Sequence, residues 1–235
     1  MILRINYLLV FLFITPALFV AEPIDAQETE IRELLQKIEA VKENHKARFG
    51  ETVFQVEEHS VMQLMNGDGE IERIDTTLAL VTRKGRVLVS RKIIMSTADT
   101  TKPGKSMERR FDIKFDADNP DYQFKLLQRT DSTIVLAYEP RQSKAKNDKS
   151  FGKLWFDPED YHLLRIESTT PDPGVSHLDR LEMEITMIQL ENGMNVASSA
   201  HVKGDASALF GLIKKKFDVS NTYRNHQIMK TAQEK

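Results

Sequence analysis

The sequence predicts a mainly β protein of the α+β class, with one long N-terminal amphipathic helix and a large antiparallel sheet behind it. Three observations carry this. Apolar residues recur at helical spacing over residues 29–49. From residue 51 the period changes to two, in about ten to eleven short segments. Turn-forming residues punctuate those segments at short intervals.

The chain has 235 residues, which fits one domain of ordinary size that can bury its own core. It has no cysteine, which excludes a disulfide framework, a thiolate nucleophile, a Cys-ligated zinc site and a Cys-linked lipid anchor. Its formal charge of -2 argues against a nucleic-acid binder, which carries a strongly basic face.

The first 26 residues are different material. Arg4 is followed by the apolar run Tyr7 to Ile14, then Thr15-Pro16 and Ala17 to Ala21. A positive charge, a short apolar stretch and a helix-breaking proline describe a secretory signal peptide. Pro16 interrupts the run before the ~20 residues that a membrane span needs. Ala21 and Ala26 both offer the small residue of a cleavage site. Residues 1–26 are taken as the signal peptide and 27–235 as the exported domain, which implies a periplasmic location.

Ile31, Leu34, Leu35, Ile38, Val41, His45 and Phe49 form the apolar stripe of the helix, and Gly50 caps it. Val53, Phe54 and Val56 open the first strand, which ends at the Asn66-Gly67-Asp68-Gly69 turn. Residues 71–82 and 86–95 read as a hairpin. Further strands are expected at 107–115, 122–127, 133–139, 153–157, 162–168, 181–190, 194–202 and 216–223. In 181–190, Leu181, Met183, Ile185 and Met187 alternate with Glu182, Glu184 and Thr186.

Little in the chain suggests bond chemistry. The six histidines (His45, His59, His162, His177, His201 and His226) have no metal-ligand spacing. No nucleophile elbow or phosphate loop occurs. Asp157, Glu159, Asp160 and Glu167 could be imagined as acid–base carboxylates, with His162 beside them. Asp157-Pro158-Glu159-Asp160 reads more simply as a turn. Ala206 to Ile213, followed by Lys214-Lys215-Lys216, is either a mobile apolar flap with a basic root or a short helix or hairpin over one end of the sheet. The expectation is a binder rather than an enzyme, without cofactor or metal.

After the helix the strands carry Phe111-Asp112-Ile113, Ile134 to Pro140, Gly152-Lys153-Leu154-Trp155-Phe156-Asp157-Pro158 with the following strand to Arg165-Ile166-Glu167, and Ala208 to Gly211 through Tyr223 to His226. The resemblance of this order is to the LolA/LolB-like superfamily of periplasmic lipoprotein carriers. It implies a half-open antiparallel β-barrel of about 10–11 strands, with the N-terminal helix and short lid helices over an apolar cavity for acyl chains. No individual gating residue of the family matches, and the cavity and lid candidates come from this chain's own apolar stripes: Leu34, Leu35, Ile38, Val41, Phe54, Val56, Phe111, Ile113, Leu136, Trp155, Met183, Ile185, Met187, Leu209 and Phe210. The alternative for both stripes is ordinary core packing.

The implied function is a soluble monomeric carrier of an acylated lipoprotein or lipid, with inner- and outer-membrane transport components as partners. Each buried CH₂ would contribute ~0.8 kcal/mol to loading. The alternative is an envelope sensor that binds a protein partner through the same fold.

Overall fold

In the computed structural model the described residues are 24–98, 113–141, 150–174, 177–208 and 213–229. Most of the expected signal peptide (1–26) lies outside them, as do Phe111, Leu209 and Phe210.

One helix, α1 (Ile24–Phe49), precedes ten strands. These are β1 (Val53–Asn66), β2 (Ile71–Lys84), β3 (Val87–Ser96), β4 (Tyr122–Arg129), β5 (Ile134–Pro140), β6 (Phe151–Phe156), β7 (Leu163–Thr170), β8 (Leu178–Gln189), β9 (Asn195–Ala208) and β10 (Ile213–Ile228). They form a single sheet in the order β3-β2-β1-β10-β9-β8-β7-β6-β5-β4. Every neighbouring pair is antiparallel. The edges β3 and β4 do not pair with each other, so the barrel is half open.

Gly50 ends α1 by donating its N–H to Lys46 O at 2.8 Å. A Cβ on Gly50 would sit 2.5 Å from that oxygen, so the close turn needs glycine. The helix lies on the inner face of the sheet and fills it at two places. Leu34, Leu35 and Ile38 pack against Ile134, Leu136, Tyr138, Leu154, Phe156 and Ile166 from β5–β7. Phe49, at the other end of the helix, packs against Phe54, Val56, Ala79, Val81, Met194 and Val196. A fully buried side chain of this kind contributes about 1.5–3 kcal/mol, so the stripe chiefly anchors the helix.

Two expectations need correction. The strand expected at 107–115 is not continued by its described residues, 113–115. Their backbone groups bond to helix side chains instead of a ladder. Phe115 N–H donates to Glu39 Oε2 at 2.8 Å, and Lys42 Nζ donates to Ile113 O at 3.0 Å. The short lid helices are also missing among the described residues, where α1 is the one helix. Ala206–Ala208 and Ile213 are strand residues that pair across the β9–β10 hairpin.

Candidate functional site

The inner face can be read rung by rung from the strand registers. Ile185 packs against the core under α1, which fixes its side of β8 as inner. Period two then puts Met183 and Leu181 on the same side. Across the ladders Met183 faces Ser168 on β7 and Val202 on β9. Val202 faces Val219, and Val219 faces Met62. The next rung toward the hairpin tips runs Leu181, Gly204, Phe217, Leu64.

Apart from Leu181, the side chains of these two rungs from β8 to β1 are half-buried rather than buried. None of them belongs to either core cluster. Gly204 widens the face: the Phe217 ring occupies the space its Cβ would take, at 2.3 Å. The result is an apolar tract with two methionines, a residue that adapts to irregular guests.

The sequence-expected residues fall into different places. Leu34, Leu35, Ile38, Phe54, Val56, Ile113 and Leu136 are closed core. Val41 is half-buried. Met183 and Ile185 lie on the inner face. Met187 faces Ala197 beyond a bulge at Ser198 and is half-buried. Trp155 lies between Leu154 and Phe156, which both enter the core, so it points to the outer face. There the Arg165 guanidinium covers its ring at 4.9 Å.

Sequence reasoning missed Met62, Leu64, Val202, Phe217 and Val219. Their signal was present as strict alternation in Lys216-Phe217-Asp218-Val219-Ser220 and His201-Val202-Lys203.

The inner face turns polar beyond β10. On β1 the unbroken ladder with β2 puts Glu58 and Ser60 on the side of buried Val56. Glu58 is buried and accepts from Arg91 Nε at 2.9 Å and Arg91 Nη2 at 2.6 Å. Tyr223 faces Glu58 from β10. Burial, and then the negative charge of Glu58, raise the Tyr223 phenol above its usual range. Ser60 sits between Asn221 and Thr77, and Thr77 Oγ1 lies 3.0 Å from Ser96 Oγ. Asp75, opposite Met62, is buried and pairs with Arg73 at 2.6 Å.

Asp157, Asp160 and His162 do meet, with potential ligand atoms within 4.8 Å of one another. Their geometry is that of a turn. Asp157 Oδ1 accepts from the Glu159 and Asp160 amides at 2.8 and 3.3 Å, and Asp160 Oδ1 accepts from the His162 amide at 3.1 Å. Glu159 is exposed. A separate cleft of about 300 Å³ lies between α1 and residues 114–117, lined by Arg32, Glu39, Ala40, Lys114, Phe115 and Asp116 among others. Among the described residues no helix is long and apolar enough to cross a membrane.

No protein-family model matches the chain, and no curated protein matches it. Solved structures do. A domain assigned to outer membrane lipoprotein sorting from Vibrio parahaemolyticus is 12% identical, with 85% of this chain and 95% of that one covered and a TM-score of 0.41. A DUF1329 family protein from Desulfovibrio piger is 9% identical over 88% and 95%, at 0.39. A LolA superfamily protein from Nitrosomonas europaea is 14% identical over 86% and 94%, at 0.32. At 9–14% identity and TM-scores of 0.32–0.41 the likeness names no family for this chain. It assigns no role to any residue of this chain, and the half-open barrel stands on its own ladders.

Proposed function

We propose that the chain is a carrier that shields acyl chains of a lipoprotein or lipid on the open inner face of its sheet, in the periplasm, after export by residues 1–26. The observation that carries this is the apolar tract of Met62, Leu64, Met183, Val202, Phe217 and Val219. It is continuous across four strands and left half-exposed by the helix, which fills the face at two other places. A monomer would ordinarily bury or break such a tract. Loading needs no bond chemistry: transfer of apolar surface from water supplies the driving force. The proposed delivery route passes between inner- and outer-membrane components.

The test is native mass spectrometry of protein taken from its own envelope, with uptake of the uncharged probe N-phenyl-1-naphthylamine. Lipid adducts and probe uptake that Met183→Asp abolishes are expected. A wild-type chain with no adduct and no uptake would overturn the reading.

One observation favours the second reading, a module that binds a protein partner. Edge strand β3 exposes Val87, Val89, Ile93, Ile94 and Met95, and exposed apolar edge strands are templates for strand addition. Co-purification of one partner that charged substitutions at Val89 and Ile94 prevent, with no lipid bound, would select it.

A further inference from the structure

The inner face is divided rather than uniformly apolar, and the division names the class of guest. Across β8, β9, β10 and β1 the middle rung is Met183, Val202, Val219 and Met62. Three inter-strand steps of about 4.8 Å make this tract about 14 Å long, close to the ~15 Å depth of one leaflet of a bilayer's hydrocarbon core.

One rung toward α1, the side chains on β10, β1, β2 and β3 are Asn221, Ser60, Thr77 and Ser96. Beyond them lies the Glu58–Arg91 pair, facing Tyr223. The Glu58 side chain is 11% exposed and that of Arg91 37%. The Glu58 carboxylate is withdrawn from water while its guanidinium partner still reaches it, and such a pair gains little stability over apolar residues of similar volume. A bare hydrocarbon laid here would desolvate the serine, threonine and asparagine groups without pairing them. Arg91 gives Nε and Nη2 to Glu58 Oε1, so Glu58 Oε2 stands outside these bonds as an acceptor for an ammonium and Arg91 Nη1 as a donor for a phosphate. Arg73 and Asp75 repeat the pairing on the other flank of the polar stripe.

We propose that this face selects a zwitterionic phospholipid, held in one orientation. The acyl chains lie across Met183, Val202, Val219 and Met62. The head lies over Ser60 and Thr77, with its phosphate toward Arg91 and its ammonium toward Glu58. The inference rests on the carrier reading and narrows it to a class of cargo. A purely anionic head would meet the Glu58 carboxylate without an ammonium to offset it, and a head without charge would leave the Arg91 Nη1 donors without an anion.

The experiment is competitive loading. The purified chain is offered phosphatidylethanolamine, phosphatidylglycerol and diacylglycerol with identical acyl chains, in equal amounts, and adducts are counted by native mass spectrometry. Uptake of N-phenyl-1-naphthylamine is read in parallel. The expected result is about tenfold preference for phosphatidylethanolamine over each competitor, the scale of one good charged contact. Glu58→Gln should shift the ratio about tenfold toward phosphatidylglycerol. Ser60→Val, which leaves the ion pair in place, should shift it toward diacylglycerol. Equal loading of all three lipids by a chain that takes up the probe overturns the head-group inference and leaves the carrier reading standing. Failure to take up lipid and probe alike overturns both.

Discussion

The imidazole of His45 accepts a hydrogen bond from the backbone amide of Asn195 at 2.9 Å. This contact joins the last turns of α1 to the start of β9. The same imidazole stacks on Phe49 at 4.9 Å, and Arg48 Nη2 donates to Asn192 O at 3.1 Å in the neighbouring turn. Acceptance requires a neutral ring nitrogen, so the docked helix and the protonated imidazole exclude each other.

Helix docking should therefore weaken in mild acid. Burial, then the positive charges of Arg86 and Arg48, hold the His45 pKa below its usual 6.5. Burial lowers His226 as well. The unfolded chain then binds protons before the folded one does. Stability is full above the unfolded value and falls as pH drops through 6.5 toward the lowered folded values. Urea unfolding from pH 8 to 5 should show this slope, and His45→Gln should make it shallower. His45→Phe should cost about 1–2 kcal/mol at pH 8, because it leaves the Asn195 amide without its acceptor. A slope unchanged in His45→Gln would remove His45 as its source.

Leu35 is 1% exposed at the centre of the helix–sheet contact. Leu35→Ala should cost about 2–5 kcal/mol in chemical denaturation. Val41→Ala, at a half-buried position on the same helix, should cost clearly less. Equal losses would mean that the stripe does not anchor α1 through its buried members.

Gly152 and Gly204 should respond differently to the same change. A Cβ at Gly152 would lie 1.9 Å from the backbone oxygen of Glu167. One at Gly204 would meet the Phe217 ring, a side chain that can turn away. Gly152→Ala should cause a large loss of thermal stability or of folding. Gly204→Ala should be milder and should lower uptake of the apolar probe, because the displaced ring enters the inner face. A tolerant Gly152→Ala would contradict the close β6–β7 approach.

Trp155 is the single tryptophan and faces away from the apolar tract. Its emission should stay constant as lipid or probe loads, and should shift to longer wavelength in Arg165→Ala, which uncovers the ring. A change of emission on loading of the wild-type chain would place a guest on the outer face.

Period two and turn residues made the sheet legible, because one-sided burial leaves its mark on every other position of a strand. The pairing of β1 with β10 was not legible, since register between distant segments has no local signal. The stripe of α1 announced a buried partner but not its nature: Leu34 and Leu35 would look the same over a cavity as over Ile134 and Leu136. Trp155 misled for a related reason. The Gly-x-x-Trp pattern drew attention to the aromatic ring, while strand alternation committed Leu154 and Phe156 to the inside. The apolar tract spreads over four strands in pairs such as Phe217 and Val219, each unremarkable alone, and the ladder is what adds them together.

The β1–β10 ladder also fixes when this molecule can become whole. Val61 pairs with Ser220, so the seam between the third and fourth strands of the sheet joins the first described strand to the last. The hairpins β1–β3 and the run β4–β10 are local structures and can form as their residues appear. The seam has to close a loop containing nearly the whole domain before it returns any free energy, and long-range pairing of this kind is slow. The exposed edges of both halves wait through that interval, and the apolar tract stays incomplete, with Met183, Val202, Phe217 and Val219 in one half and Met62 and Leu64 in the other. A chain cut before Ile213 would keep two partial sheets without the strand that joins them.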